Sequence, residues 1–130
     1  MQCEKALTRA LAVQSAAAEY GFDWPDEQAV LAKVREEVSE IEAALNDGDQ
    51  EAIEAEYADL VFVVLNLGRH IKQLHSHEID NVKFLGSILE QASDKFVRRF
   101  TFVKNRTQDQ KPMSLAMMEA AWQTAKQQGL

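Results

Sequence analysis

Two pairs of carboxylates with helical spacing set the strongest constraint on how this 130-residue chain folds. Glu37 and Glu40 are three positions apart, and after a gap of fifteen residues Glu56 and Asp59 repeat that spacing. At about 100° per residue, the members of each pair lie about 60° apart on a helix, so two antiparallel helices would point all four carboxylates at one spot. Oxygen ligands in that arrangement suit a hard cation such as Mg²⁺.

Glu-rich helices are more often solvated faces than metal sites, so the neighbouring residues decide between the two interpretations. Residues 60–65 are apolar on every side of the helix, which predicts that they are largely buried and that Asp59 lies close to the core. A buried carboxylate is costly without compensation, and Lys33 and Arg35 are the only basic residues between positions 19 and 59. A bound metal ion is therefore the favoured interpretation.

Helical periodicity extends over most of the chain, and no segment alternates as a strand would. Asp23 is the expected cap of the second helix, with Pro25 in its first turn, and Ser114 is the expected cap of the last helix. The predicted fold class is all-α, a bundle of four to five helices in a single domain over residues 1–130. The predicted helices cover about 2–19, 25–45, 50–73, 80–104 and 114–127.

The second and third helices differ in how much apolar surface they carry. The second is amphipathic, and Glu37 borders its apolar stripe. The third is apolar all round over 60–65, which needs more cover than three amphipathic neighbours supply and predicts a homodimer. The stripe of the second helix is predicted to consist of Val30, Val34, Val38, Ile41 and Leu45.

Composition narrows the class of protein. A net charge of −7 argues against a general nucleic-acid binder, because affinity for the phosphate backbone needs Lys and Arg. The single Cys3 cannot form an intramolecular disulfide and suggests a reducing compartment. No segment approaches the roughly 18 apolar residues of a membrane span. We expect a cytoplasmic protein with no membrane partner.

An ordered series of motifs runs from Gly21 to Lys126. The series resembles the MazG-type nucleoside triphosphate pyrophosphohydrolases, part of the all-α NTP pyrophosphatase group. It looks most like the C-terminal half of the two-domain members, here standing alone. The matching segments are Gly21-Phe22-Asp23-Trp24-Pro25, residues 33–40, Glu56-Tyr57-Ala58-Asp59, Asn66-Leu67-Gly68-Arg69-His70, residues 95–100 and 113–126.

The resemblance implies hydrolysis of a nucleoside triphosphate to the monophosphate and pyrophosphate in a homodimer. Water activated by the metal would attack the α-phosphorus, with Mn²⁺ as a substitute for Mg²⁺. Glu36 or Glu37 would accept the water proton, and spacing does not separate ligand from base. The metal ligands implied by the resemblance are Glu37, Glu40, Glu56 and Asp59.

The resemblance also implies substrate contacts outside the carboxylates. Lys95 and Arg99, four residues apart and so on one helical face, would bind the phosphates. Lys33 and Asn66 are further candidates for substrate binding; the Asn66 amide, inside so apolar a helix, must find a partner. Trp122 either stacks on the base or covers the core. His70, on the same face as Asp59, is better explained by packing than by metal binding.

Three features depart from the family pattern. Gly68 and Ser93 stand where alanine and asparagine are usual. The connection between His70 and Lys95 is longer than expected and contains His75 and His77, whose spacing is a weak metal signal in a polar segment.

A second class of function remains open from the sequence. In that alternative the chain is a non-catalytic helical dimer that binds or senses nucleotides, and the carboxylates hold a structural cation.

Overall fold

The structure, a computed structural model, describes residues 1–74, 78–109 and 113–130, and every regular element within them is an α-helix. The all-α prediction is therefore confirmed, while His75 and His77 lie outside the described residues. The helices are α1 (Gln2–Tyr20), α2 (Glu27–Asp47), α3 (Gln50–Leu74), α4 (Asn81–Thr107) and α5 (Leu115–Gln127).

The chain forms two compact units, residues 1–85 and 86–130. In the first, α3 packs along α2 and against α1. Its buried apolar side chains include Leu11 of α1, Ala44 of α2 and Val63 of α3. In the second unit, Val103 of α4 and Ala125 of α5 are buried.

The buried stripe of α2 differs from the predicted one. The buried residues are Val30, Glu37 and Ala44, spaced by seven, so Glu37 lies at the centre of the stripe and not at its border. Val38 and Leu45, predicted to be buried, are exposed. The buried face is displaced by about one position because α2 turns its Glu37 side toward α3.

The prediction that residues 60–65 are largely buried is wrong within one chain. Val61, Phe62 and Val64 are 38%, 44% and 46% exposed, because α1 and α2 cover only part of the surface of α3. Asp59 is also exposed, so it does not lie close to the core as predicted. An apolar helix sequence shows that cover is needed, but not that the same chain provides it.

The start of α2 also differs from the prediction. Asp26, not Asp23, caps the helix, because its side chain accepts a hydrogen bond from the Ala29 amide at 2.9 Å. Pro25 therefore precedes the cap and does not lie in the first turn. The predicted cap of α5 is confirmed, since Ser114 accepts a hydrogen bond from the Met117 amide. None of the described helices is both long enough and apolar enough to cross a membrane.

Candidate active site

A tight turn places α2 and α3 side by side. Gly48 ends α2 in the left-handed conformation, at φ 71°, and α3 begins two residues later. Glu40 and Glu56 lie eight positions before and after Gly48, and Glu37 and Asp59 lie eleven positions before and after it. Residues equally distant from such a turn lie at the same height on two antiparallel helices. The turn therefore brings the two carboxylate pairs together.

Three of the four predicted ligands converge closely. One carboxylate oxygen from each of Glu37, Glu56 and Asp59 lies within 4.8 Å of the others. Their exposure is graded, with Glu37 buried, Glu56 half-buried and Asp59 exposed. The cluster is thus open to solvent on the Asp59 side and closed on the Glu37 side.

Glu40, the fourth predicted ligand, contacts the same cluster. Hydrogen-bond contacts with Glu37 and then with Glu56 raise the pKa of Glu40 to about 7, with burial and charge repulsion acting in the same direction. A carboxyl group with such a pKa shares a proton with its neighbours when no cation offsets their charge.

Lys33 lies beside the buried end of the cluster. Its Nζ is 3.1 Å from Glu37 Oε1 and 3.3 Å from Glu36 Oε1. Hydrogen bonds to Glu37 and to Glu36 raise the pKa of Lys33, so it carries a positive charge at neutral pH. Glu36, more than half exposed, lies at the edge of the cluster.

The buried oxygens show a need for further positive charge. In the ionised cluster, Glu37 Oε2 and Glu56 Oε2 are buried and find no hydrogen-bond donor among the described residues. Such atoms carry the full cost of desolvation unless a cation or a proton compensates them. All the candidate metal ligands in the cluster are carboxylate oxygens, which Mg²⁺ and Mn²⁺ bind. The residues present therefore fit a hard divalent cation.

A buried polar network lies two turns further along α3. Arg69 donates from Nη2 to Asp23 Oδ1 at 2.6 Å, and from Nε and Nη2 to Asn66 Oδ1 at 3.0 and 2.8 Å. The His70 Nε2 atom is 3.1 Å from Asp23 Oδ1. His70 is buried, as the packing interpretation predicts. Burial would raise the pKa of Asp23, but hydrogen bonds from Arg69 and His70 outweigh it and hold the pKa below its usual value.

This network borders a pocket of about 330 Å³ within the first unit. The sequence interpretation missed the pocket and its residues Gln14 and Arg69. Gln14 is a polar side chain three positions after Leu11, on the buried face of α1, and that position was the available signal. Aromatic and polar side chains share the lining, which includes Gln14, Phe22, Trp24, Phe62, Asn66 and Arg69.

The remaining predicted residues lie in the second unit. Lys95 is exposed on α4. Arg99 is half-buried, donates from Nε to the Leu130 carbonyl at 2.7 Å, and lies 5.7 Å from the centre of the Trp122 ring. Trp122 also packs on Phe96, with ring centres 5.3 Å apart. These contacts favour the core-covering interpretation of Trp122.

Comparison with known proteins places the chain in a family. The family described as phosphoribosyl-ATP pyrophosphohydrolase matches residues 5–73, more than half of the chain. The chain is 36% identical over 129 residues to a nucleoside triphosphate pyrophosphohydrolase of Escherichia coli K12, covering 95% of this chain and 45% of that protein. It is also 36% identical over 95 residues to the nucleoside triphosphate pyrophosphohydrolase/pyrophosphatase MazG of Thermotoga maritima, covering 73% of this chain and 32% of that protein.

The chain thus spans less than half the length of the curated relatives it matches. The matched region contains α2 and all of α3 but its last residue, with all four clustered carboxylates. On these grounds the chain belongs to the phosphoribosyl-ATP pyrophosphohydrolase family, among its MazG-type all-α members.

Proposed function

We propose that this protein hydrolyses nucleoside triphosphates to the nucleoside monophosphate and pyrophosphate with Mg²⁺ as cofactor. One observation carries the proposal: Glu37, Glu56 and Asp59 converge, and in the ionised cluster two of their buried oxygens have no donor in the described structure. A solvated acidic face would not leave carboxylate oxygens in that state, because water would reach them. The names of the relatives support the same activity.

The metal ligands in this proposal are Glu37, Glu40, Glu56 and Asp59. Mg²⁺, or Mn²⁺ in its place, would offset the triphosphate charge and lower the pKa of the attacking water. Glu40 would give up its shared proton when the cation binds, because the cation favours the ionised carboxylate. Asp59, the exposed member, lies on the side open to substrate.

The proton of the attacking water goes to a glutamate. Glu37 already directs Oε1 to Lys33, and its Oε2 is buried. Glu36 is more exposed and shares the same lysine, so it is the better general base of the two. As the water oxygen bonds to the α-phosphorus, the bond to the bridging oxygen breaks and pyrophosphate leaves with that electron pair.

The substrate contacts are proposals from sequence resemblance. Lys95 and Arg99 are proposed to bind phosphate oxygens, with Lys33 near the α-phosphate and Asn66 near the nucleoside. Trp122 contacts Phe96 and Arg99, and these contacts account for its position without a substrate.

The proposal extends to the domain organisation, the oligomeric state and the cellular location of the protein. We propose that residues 1–130 act as one catalytic domain, that two copies associate through the apolar surface of α3, and that the protein works in the cytoplasm. The net charge of −7 argues against a nucleic-acid partner.

A pyrophosphate-release assay tests the proposal. The wild-type protein with Mg²⁺ should release pyrophosphate and monophosphate from one or more of the common nucleoside triphosphates. Asp59→Asn should abolish release, whereas Glu42→Gln, which changes an exposed acid on the same hairpin, should keep it. If nucleotide binds and no pyrophosphate appears, the non-catalytic alternative is correct. Release of orthophosphate and nucleoside diphosphate would show that water does not attack the α-phosphorus, which contradicts the proposal.

A further inference from the structure

The pocket bordered by Arg69 begins one turn of α3 beyond the carboxylate cluster. Phe62 and Asn66 of its lining are three and seven positions after Asp59, which is about 4.5 and 10.5 Å along the helix axis. The walls of the pocket are mainly apolar and include the aromatic rings of Phe22, Trp24 and Phe62. A flat aromatic ligand would find stacking surfaces there.

Gln14 supplies an acceptor that nothing in the described structure uses. Its side chain is 5% exposed, and its Nε2 donates to the Phe62 carbonyl at 2.8 Å. A carbonyl can only accept, so this bond fixes which way the amide points. The Gln14 Oε1 atom is then buried with no hydrogen-bond partner among the residues that the structure describes. A buried amide oxygen in this state is costly, and a ligand donor would remove the cost.

Asn66 offers a hydrogen-bond donor to the pocket, whereas Gln14 offers an acceptor. Its Oδ1 accepts two hydrogen bonds from Arg69, so it offers only its NH₂ group to a ligand. Arg69 is itself held by Asp23, which fixes both side chains. The two oriented amides therefore present an acceptor and a donor between aromatic walls, beside the ion pair of Asp23 and Arg69 that also lines the pocket.

We propose that this pocket binds the nucleobase of the substrate, with Gln14 Oε1 accepting from an N–H group on the base edge and Asn66 donating to an adjacent acceptor. The inference rests on the proposed function, because the carboxylate cluster on the same helix would hold the phosphate end. One sugar then bridges the distance between the two sites. Gln14 is a specificity-determining residue in this arrangement.

Fluorescence of the two tryptophans distinguishes this pocket from Trp122. The chain has two tryptophans, so Trp122→Phe leaves Trp24 as the single emitter and Trp24→Phe leaves Trp122. The four common ribonucleosides, added in EDTA without triphosphate, should quench the Trp24 emission of the Trp122→Phe protein saturably for at least one base. The Trp24→Phe protein should not respond. Quenching of Trp122 instead, or no response of Trp24 up to the solubility limit, overturns the inference.

A ligand change tests the role of Gln14 in the unaltered protein. The tightest nucleoside is compared with its counterpart in which the N–H donor on the base edge is removed or methylated. We expect roughly tenfold weaker binding, as for the loss of one hydrogen bond to a buried group. In Gln14→Leu or Gln14→Met, the difference in affinity between the nucleoside and its donor-blocked counterpart should shrink to about twofold or less. An undiminished difference in a folded variant, or none in the wild type, contradicts the assignment.

These binding results are separable from the hydrolysis assay. Pyrophosphate release without a Trp24 response leaves the proposed function in place and removes the base pocket. Nucleoside binding at Trp24 without pyrophosphate release keeps the pocket and removes the catalytic proposal.

Discussion

Glu40 is the residue whose protonation should control the stability of the metal-free protein. Its pKa is about 7 in the folded chain against an ordinary value of 4.5, so the folded state binds the proton more tightly. The stabilisation from this proton is fully present below pH 4.5 and is lost as the pH rises through 7. In EDTA, the melting temperature of the wild type should therefore fall between about pH 5 and pH 8.

Glu40→Gln removes this titration. Its melting temperature should depend less on pH over that range, and at the upper end it should equal or exceed that of the wild type, while hydrolysis is abolished. Glu42→Gln, which lies on the same helix, should keep the wild-type curve. A Glu40→Gln protein that loses helix content would show that Glu40 is a structural partner.

Asp23 is a second residue with a testable charge. Asp23→Ala would leave Arg69, whose side chain is 6% exposed, without its carboxylate partner. Breaking a fully buried pair costs roughly 3–5 kcal/mol, and because the Asp23 side chain is 23% exposed we expect about 2 kcal/mol. Urea denaturation at pH 7 measures this loss. Asp26→Ala removes only a helix cap and should cost about 1 kcal/mol, so equal losses would contradict the buried-pair explanation.

Lys95 offers the cleaner test of phosphate binding, because it is exposed whereas Arg99 also holds the Leu130 carbonyl. A charge-assisted contact is worth about 1.5–3 kcal/mol, so Lys95→Ala should lower kcat/KM by roughly tenfold to a hundredfold. Its melting temperature and its Mg²⁺ affinity should stay unchanged. Wild-type kcat/KM in this variant would remove Lys95 from the site.

Among the helices, the hairpin of α2 and α3 depends most on one backbone conformation. Gly48 has φ 71°, a left-handed conformation that costs a residue with a Cβ about 1–2 kcal/mol. Gly48→Ala should therefore lower the free energy of unfolding by about 1 kcal/mol, whereas Gly48→Asn should lower it less. Urea denaturation of the two variants provides the comparison. Equal losses in both would show that another feature of the turn matters more than its φ angle.

Local periodicity explains what could be predicted about these elements. The helix ends of α1, α3 and α5 and the convergence of the carboxylates follow from spacing along one or two adjacent helices. The partners of Asp23 and Gln14 are 46 and 48 positions away, so no local pattern indicates them. Asp23 and Asp26 are equivalent as caps by residue type. The Asp23 carboxylate instead contacts the distant Arg69 and His70.

The exposure of Asp59 could not be predicted for a different reason. Its neighbours 60–65 are apolar, which indicates that they pack against another surface. The sequence does not indicate which surface that is. In one chain, α1 and α2 leave Val61, Phe62 and Val64 between 38% and 46% exposed. The apolar pattern alone therefore does not fix which residues are buried within one chain.

At the scale of the whole molecule, this uncovered apolar surface predicts a homodimer. Burial of apolar side chains contributes roughly 25 cal/mol per Å² removed from water, so a second copy packed on α3 gains stability by covering Val61 and Val64, which do not line the pocket. Light scattering at micromolar concentration should give twice the chain mass of 14.7 kDa. Val64→Lys should shift the protein toward the monomer, and a wild-type mass near 14.7 kDa contradicts the prediction.

The position of Gly48 has a consequence for recognising related sites. The acids lie at equal distances on either side of this glycine, at eight and eleven positions, so their spacing is the same in both directions along the chain. Any sequence with a glycine-ended helix, an equally short turn and acids mirrored about it should form the same oxygen cage. Such mirror symmetry can be sought in chains whose flanking motifs have diverged beyond alignment. An insertion within one helix, between the turn and its acids, would break this arrangement, because it moves both acids along and around that helix.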